Sequence, residues 1–177
     1  VRLAAPVLVR EATADDAAAL GRVHAEAWHR AYRDLFEPEW LTRFVAERRG
    51  RWHARLADPA FDLAELLVAE QGAAVVAFAW FGPHADNTAD AELRAYYAHP
   101  DAWGTGVAQT LFDNVREAVA DRRRLRLWTL AGAHRARRFY AKEGFARTGL
   151  HRDRDFGDAR PVREVEYALS PHDRAWR

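Results

Sequence analysis

The chain has 177 residues, a formal net charge of +1, 49% apolar and 30% charged side chains. Those totals fit one globular domain spanning residues 1–177, and the near-zero charge argues against nucleic acid or a membrane surface as a partner. The lack of Cys removes disulfides, thiolate metal sites and a Cys nucleophile; no run approaches the ~18 apolar residues of a spanning helix, and without a signal-type start the cytoplasm is the expected compartment.

Val7 to Arg10 is a short extended run, and Thr13 is placed as an N-cap with Asp15 and Asp16 in the first turn. The helix that follows carries Leu20, Val23, Ala27, Ala31 and Leu35 on one face, with Trp28 and Tyr32 beside it. These two aromatics either complete the core or wall a substrate cleft. Pro38 suits the first position of a second, short helix through Trp40, Leu41, Phe44 and Val45. Gly50 is expected to punctuate it, after which Trp52 and Leu56 extend a helical pattern to Asp58-Pro59. Arg48, Arg49, Arg51 and Arg55 read as a solvated helix face. Leu66 to Glu70 and Ala73 to Phe81 are strands joined at Gln71-Gly72. The second is apolar enough for burial on both faces, and a polar loop, His84 to Asp90, follows it.

The stretch Glu92-Leu-Arg-Ala-Tyr-Tyr-Ala-His-Pro-Asp-Ala-Trp-Gly-Thr-Gly-Val-Ala108 reads as a strand, a tight turn and a helix start. Tyr96 and Tyr97 suit a strand, Pro100 ends it, and Gly104 and Gly106 let the backbone turn with its N–H groups uncovered. From Val107 an apolar stripe through Leu111, Val115, Ala118 and Val119, with Phe112 beside it, has helical spacing. Such a unit is either a plain strand-to-helix connection or an anion cradle suited to a pyrophosphate. It is neither a Rossmann fingerprint nor a Walker loop. Arg122 to Arg124 closes the helix, Leu125 to Leu130 alternates as a strand, Ala136, Phe139 and Tyr140 share a helix face stopped at Gly144, Phe145 begins a strand, and Val162 to Leu169 is the last one before Ser170-Pro171 and a charged tail. The order predicts an α/β chain, a mixed sheet with helices on both faces.

Two of these stretches carry a resemblance. ELRAYYAHPDAWGTGVAQTLF resembles the acetyl-CoA-binding strand, turn and helix of the GNAT superfamily of N-acetyltransferases, whose turn pattern is Gln/Arg-x-x-Gly-x-Gly/Ala. Trp103 takes the Gln/Arg place, Gly106 the glycine and Ala108 the last small residue. AHRARRFYAKEGF resembles the second family motif, Asn-x-x-Ala-x-x-Phe-Tyr-x-x-x-Gly-Phe; Ala136, Phe139, Tyr140, Gly144 and Phe145 match in place, and Ala133 fills the Asn position. AWHRAYRDLFEPEWL, LWTL and REVEYAL extend the likeness to a bacterial subgroup over nearly the whole chain. The resemblance implies the GNAT fold, a mostly antiparallel sheet of six to seven strands, with acetyl-CoA as co-substrate, no metal, a small-molecule or peptide amine as acceptor, and a homodimer.

By the same resemblance, Tyr97, Ala98, Trp103, Gly104, Thr105, Gly106, Val107, Ala108, Ala133, Ala136, Phe139 and Tyr140 contact the coenzyme. Tyr140 is the expected proton donor to the leaving thiolate, since a phenol ordinarily titrates near about 10 and is neutral at about pH 7. Glu92 is the expected general base; His84 and His99 are weaker candidates. Trp28, Tyr32, Trp80 and His84 are the expected acceptor contacts, and the aromatics favour a flat or cationic amine. Without Cys the chain has no obvious acyl-enzyme nucleophile, which favours direct attack. Two rival readings are a catalytically silent acyl-CoA-binding module and a basic RNA-binding domain; the near-neutral charge counts against the latter.

Overall fold

The computed structural model describes residues 5–62 and 65–170; the charged tail expected after Ser170 lies outside them. The elements are β1 (Val7–Glu11), α1 (Ala17–Tyr32), α2 (Pro38–Ala57), β2 (Leu66–Gln71), β3 (Ala74–Pro83), β4 (Ala91–Ala98), α3 (Val107–Ala118), β5 (Leu125–Leu130), α4 (His134–Lys142), β6 (Ala146–Arg154) and β7 (Val162–Leu169). The seven strands form one sheet in the order β1-β2-β3-β4-β5-β7-β6. The registers of β1 with β2, β2 with β3, β5 with β7 and β6 with β7 are antiparallel, whereas β4 and β5 are parallel over Ala91↔Leu125 and Glu92↔Arg126. This is the mixed sheet expected from the order of elements, and it is mostly antiparallel, as the resemblance implied.

The chain divides into two compact units, one running through Trp80 and resuming over Ala95–Glu117, the other comprising Phe81–Arg94 and the chain from Ala118 onward. In the first, the α1–α2 pair packs on β2 and β3. Leu20, Val23, Trp52, Leu56, Leu66, Val68, Val75 and Phe78 form its core, with Tyr97 and Trp80 packed against it. The start of α1 is fixed by charge: the Asp16 carboxylate accepts from the Thr13 N–H at 2.7 Å and from Arg10 on β1 at 2.8 and 2.9 Å. Neighbouring residues on a strand face opposite ways. Tyr96 packs edge-on against Phe112 of α3, while Tyr97 packs against Phe78 and His24 of α1, so α3 and α1 cover opposite faces of this part of the sheet.

Two expectations about the helices change. Leu35 lies beyond the end of α1 and is 37% exposed, and Ala31 is exposed too, so the buried stripe stops at Tyr32. The helix predicted to break at Gly50 runs unbroken from Pro38 to Ala57. The connection after β4 also contains a 3-10 turn, Pro100–Ala102, ahead of the glycines.

In the second unit α4 lies against β7. Tyr140 is 6.4 Å from Tyr167 between ring centroids, and Arg137 Nε donates to the Tyr167 hydroxyl at 3.1 Å. The strand predicted from Phe145 begins one residue later, at Ala146.

Candidate active site

Gly104 and Gly106 have φ of 77° and 90°, a region that L side chains rarely adopt, and both are exposed. A Cβ built on either would meet nothing within 4 Å, so the backbone here is open rather than packed over. Val107 begins α3 immediately afterwards, and the first N–H groups of a helix have no intrahelical acceptor. Two side chains brace the bend. Trp103 Nε1 donates to the Ala98 carbonyl at 2.8 Å, and Thr105 Oγ1 donates to the Ala102 carbonyl at 2.7 Å. An indole has a single N–H donor, so Trp103 spends it holding the turn to the end of β4. Tyr96, on the same strand, donates its hydroxyl to the Ala108 carbonyl in the first turn of α3.

On the α1 side, the structure joins Trp28, Tyr32 and Tyr97. Trp28 Nε1 donates to the Tyr97 hydroxyl at 2.9 Å, and Tyr32 meets the Trp28 ring edge-on at 4.6 Å. Phe36, Trp40 and Phe44 continue the stack, with Phe44 4.5 Å from both Trp28 and Trp40. Trp28 and Tyr32 are only 5% and 8% exposed, so they belong to the packed interior of this cluster. Trp80 is partly exposed, 5.5 Å from Phe61 between ring centroids.

Two residues here have surroundings that the sequence patterns did not assign to them. His24 stacks on Tyr97 at 4.7 Å, meets Phe78 edge-on at 5.7 Å, and accepts at Nδ1 from Trp52 Nε1 at 3.2 Å. Burial, with the charges of Arg55 and Arg51, pushes its pKa down to about 3. The ring is therefore neutral and, with Nδ1 accepting, holds its proton on Nε2. Its signal in the sequence was the spacing Leu20, His24, Trp28, Tyr32, one residue per turn of a buried stripe.

The other is Arg55. The helix face expected to be solvated is so only at Arg49 and Arg51, which pair with Glu26 at 2.7 Å and Glu47 at 4.0 Å. Arg48 lies 4.1 Å over the Phe44 ring, and Arg55 lies 4.5 Å over Trp80 and 5.2 Å over Trp52.

In the second unit, Glu92 is half-buried on β4 and pairs in register with Arg126 of β5, so the two share a sheet face. Arg126 is held by the almost fully buried Glu166, with contacts of 2.6 and 2.9 Å, and by Asp90 at 3.6 Å. Asp90 also binds Arg123 at 3.1 Å, and Glu166 accepts from Thr148 at 2.6 Å. This network places guanidinium charge on the face that carries Glu92. Tyr140 is 8% exposed, 5.5 and 5.8 Å from Phe145 and Phe139 between ring centroids. Ala133, buried, is the N-cap of α4, Ala136 and Phe139 lie along that helix half-buried, and the Gly144 N–H closes it on the Ala141 carbonyl. His84 accepts at Nδ1 from the Asp86 N–H at 3.2 Å, and His99 from the Asp101 N–H at 3.3 Å. Both are local turn contacts. Among the described residues no three His, Asp or Glu side chains converge as a ligand set, and no helix is long and apolar enough to cross a membrane.

Residues 25–145 match the acetyltransferase (GNAT) family. An uncharacterized N-acetyltransferase of Mycobacterium tuberculosis is 32% identical over 152 residues, covering 80% of this chain and 94% of that protein. The structure of PaiA N-acetyltransferase from Thermoplasma acidophilum in complex with coenzyme A superposes with a TM-score of 0.72 at 17% identity, over 93% of this chain and 99% of the other. YncA from Salmonella typhimurium with acetyl-CoA gives 0.64 at 19% identity, over 96% of each. The family match covers most of the sequence, the mycobacterial relative nearly all of its own length, and on both grounds the chain belongs to the GNAT family of acetyltransferases.

Proposed function

We propose that the chain transfers the acetyl group of acetyl-CoA to a primary amine of a small molecule or peptide, by direct attack of the amine in a ternary complex. The observation that carries this reading is the open, N–H-rich bend at Gly104–Gly106 leading into α3, where a diphosphate has donors and a favourable dipole. The solved relatives that hold coenzyme A or acetyl-CoA support it.

In this reading the backbone amides of Gly104 and of Gly106 to Ala108 bind the diphosphate, while the Thr105 N–H donates to the Ala102 carbonyl at 3.4 Å. The side-chain donor of Trp103 is spent on Ala98, so backbone groups carry that task. The β4 edge beyond Glu92, outside the short register with β5, takes the pantetheine arm as an added strand, and an amide near Tyr97 or Ala98 donates to the oxyanion. Ala133, Ala136 and Phe139 contact the coenzyme from α4. Glu92 accepts the amine proton; the nitrogen lone pair forms the C–N bond, the C–S bond breaks, and Tyr140 protonates the departing thiolate. Trp80 and His84 contact the acceptor, while Trp28 and Tyr32 hold the wall from behind.

The test is thiol release from acetyl-CoA across a panel of amines, with acetylated acceptors identified by mass. Tyr140→Phe lowers kcat by about 10²–10⁴-fold with little change in coenzyme affinity, and Glu92→Gln lowers turnover most on the plateau above the acid limb and flattens that limb, because the carboxylate whose ionisation sets it is gone. Unchanged turnover or an unchanged profile would reassign those roles. The side-chain positions lost at Trp103 and Ala133 favour a second reading, a silent acyl-CoA-binding module; it predicts coenzyme binding with no thiol release on any amine.

A further inference from the structure

A half-buried guanidinium ordinarily finds a carboxylate, because desolvating an unpaired cation is costly. Arg55 does not find one among the described residues. Its contacts are the faces of Trp80 and Trp52. Burial lowers its pKa and Arg51 lowers it further, with no acidic neighbour among those residues acting the other way. Arg49 and Arg51 have Glu26 and Glu47 as partners, whereas Arg48 rests over Phe44 and Arg55 over Trp80 and Trp52. The group is only partly covered, and so are Trp80 and Phe61 beside it, so solvent reaches a cation set against two aromatic rings. Its neighbour His24 feels its charge and stacks on Tyr97, the β4 residue beside which the thioester is proposed to lie.

From this geometry we propose that Arg55, backed by Trp80, is a specificity-determining residue that recognises an anionic group, a carboxylate or a phosphate, on the amine acceptor. The proposal rests on the acetyl-transfer reading above and names its substrate class. The aromatic faces hold the guanidinium in place without neutralising it, as a cation–π contact does. The fork of N–H donors then remains available to an incoming oxyanion.

The test compares, by thiol release, three acceptors of equal length: an ω-amino acid, its carboxamide and the corresponding ω-amino phosphonate. The anionic members show a KM at least tenfold below that of the carboxamide. Arg55→Gln abolishes this difference by raising KM for the anionic members, with kcat and the carboxamide unaffected, and Arg55→Lys restores part of it. Whichever of the acid and the phosphonate has the lower KM identifies the anion. Equal KM values for acid and carboxamide in the native chain, or an Arg55→Gln loss shared by all three, would overturn the proposal; thermal melts confirm that the variants fold. If no amine releases thiol, the transfer reading fails by itself. The subsite is then judged by tryptophan fluorescence titration with the amino acid and the phosphonate: quenching lost in Arg55→Gln sustains it, and no quenching removes it.

Discussion

His24 shows how burial decides a side chain's chemistry. On an exposed helix it would titrate near about 6.5. Here it is enclosed by Trp52, Phe78 and Tyr97, with Arg55 and Arg51 nearby, and its pKa falls to about 3. The native state therefore binds the proton less well than the unfolded chain. The stabilisation is fully present above pH 6.5 and is lost as pH falls through the interval down to about 3. Chemical denaturation at about pH 7 and about pH 4 should show a loss of about 2–3 kcal/mol, and His24→Gln should remove that part of the slope. A slope identical in the variant would mean that other groups cause it. The sequence made Trp28 and Tyr32 visible as a pair but not what they do. That depends on Tyr97, 69 positions away, receiving the Trp28 N–H, and no local pattern encodes such a partner. Arg55 was hidden for the same reason. An arginine among arginines looks solvated until strand β3 supplies Trp80 beneath it.

Two glycines in the α1–α2 pair behave in opposite ways. Gly21 lets the helices cross closely: a Cβ there would sit 2.1 Å from the Arg49 carbonyl oxygen, which is backbone and cannot swing aside. Gly21→Ala should destabilise the fold by about 1–3 kcal/mol or more, through forced separation of the helices. Gly50 is the opposite case. It lies inside α2 with nothing within 4 Å of a Cβ, so Gly50→Ala should stabilise by about 0.5–1 kcal/mol. Melting temperatures of the two variants should move in opposite directions; a shift of the same sign in both would contradict the packing described. Gly50 was expected to punctuate the helical pattern, and an isolated glycine does lower helix propensity by about 1 kcal/mol. The burial of Leu41, Phe44, Trp52 and Leu56 on one side of α2 outweighs that. The strands were more legible: β5 matches its alternating run, and β4 and β7 match their extended runs, because strand-forming side chains and the Pro and Gly near the strand ends are local features.

At the scale of the whole molecule, the order of strands and helices was readable from the chain, since each element announces its period and its ends. The crossing β5-β7-β6 was not, because strand neighbours are set by packing between distant segments. The glycine bend and the Phe139-Tyr140 run were legible as motifs. The buried network of Asp90, Arg126 and Glu166 that surrounds Glu92's face of the sheet was not, since its members are scattered over three parts of the sequence. Coenzyme binding, as proposed, turns on backbone amides at Gly104–Ala108 holding the diphosphate. Isothermal titration of the purified chain with coenzyme A and, separately, with pantetheine tests it most directly. Saturable heat at one coenzyme A per chain, with pantetheine at least tenfold weaker, is the predicted result; no heat with coenzyme A, or equal affinity for the two, would contradict it.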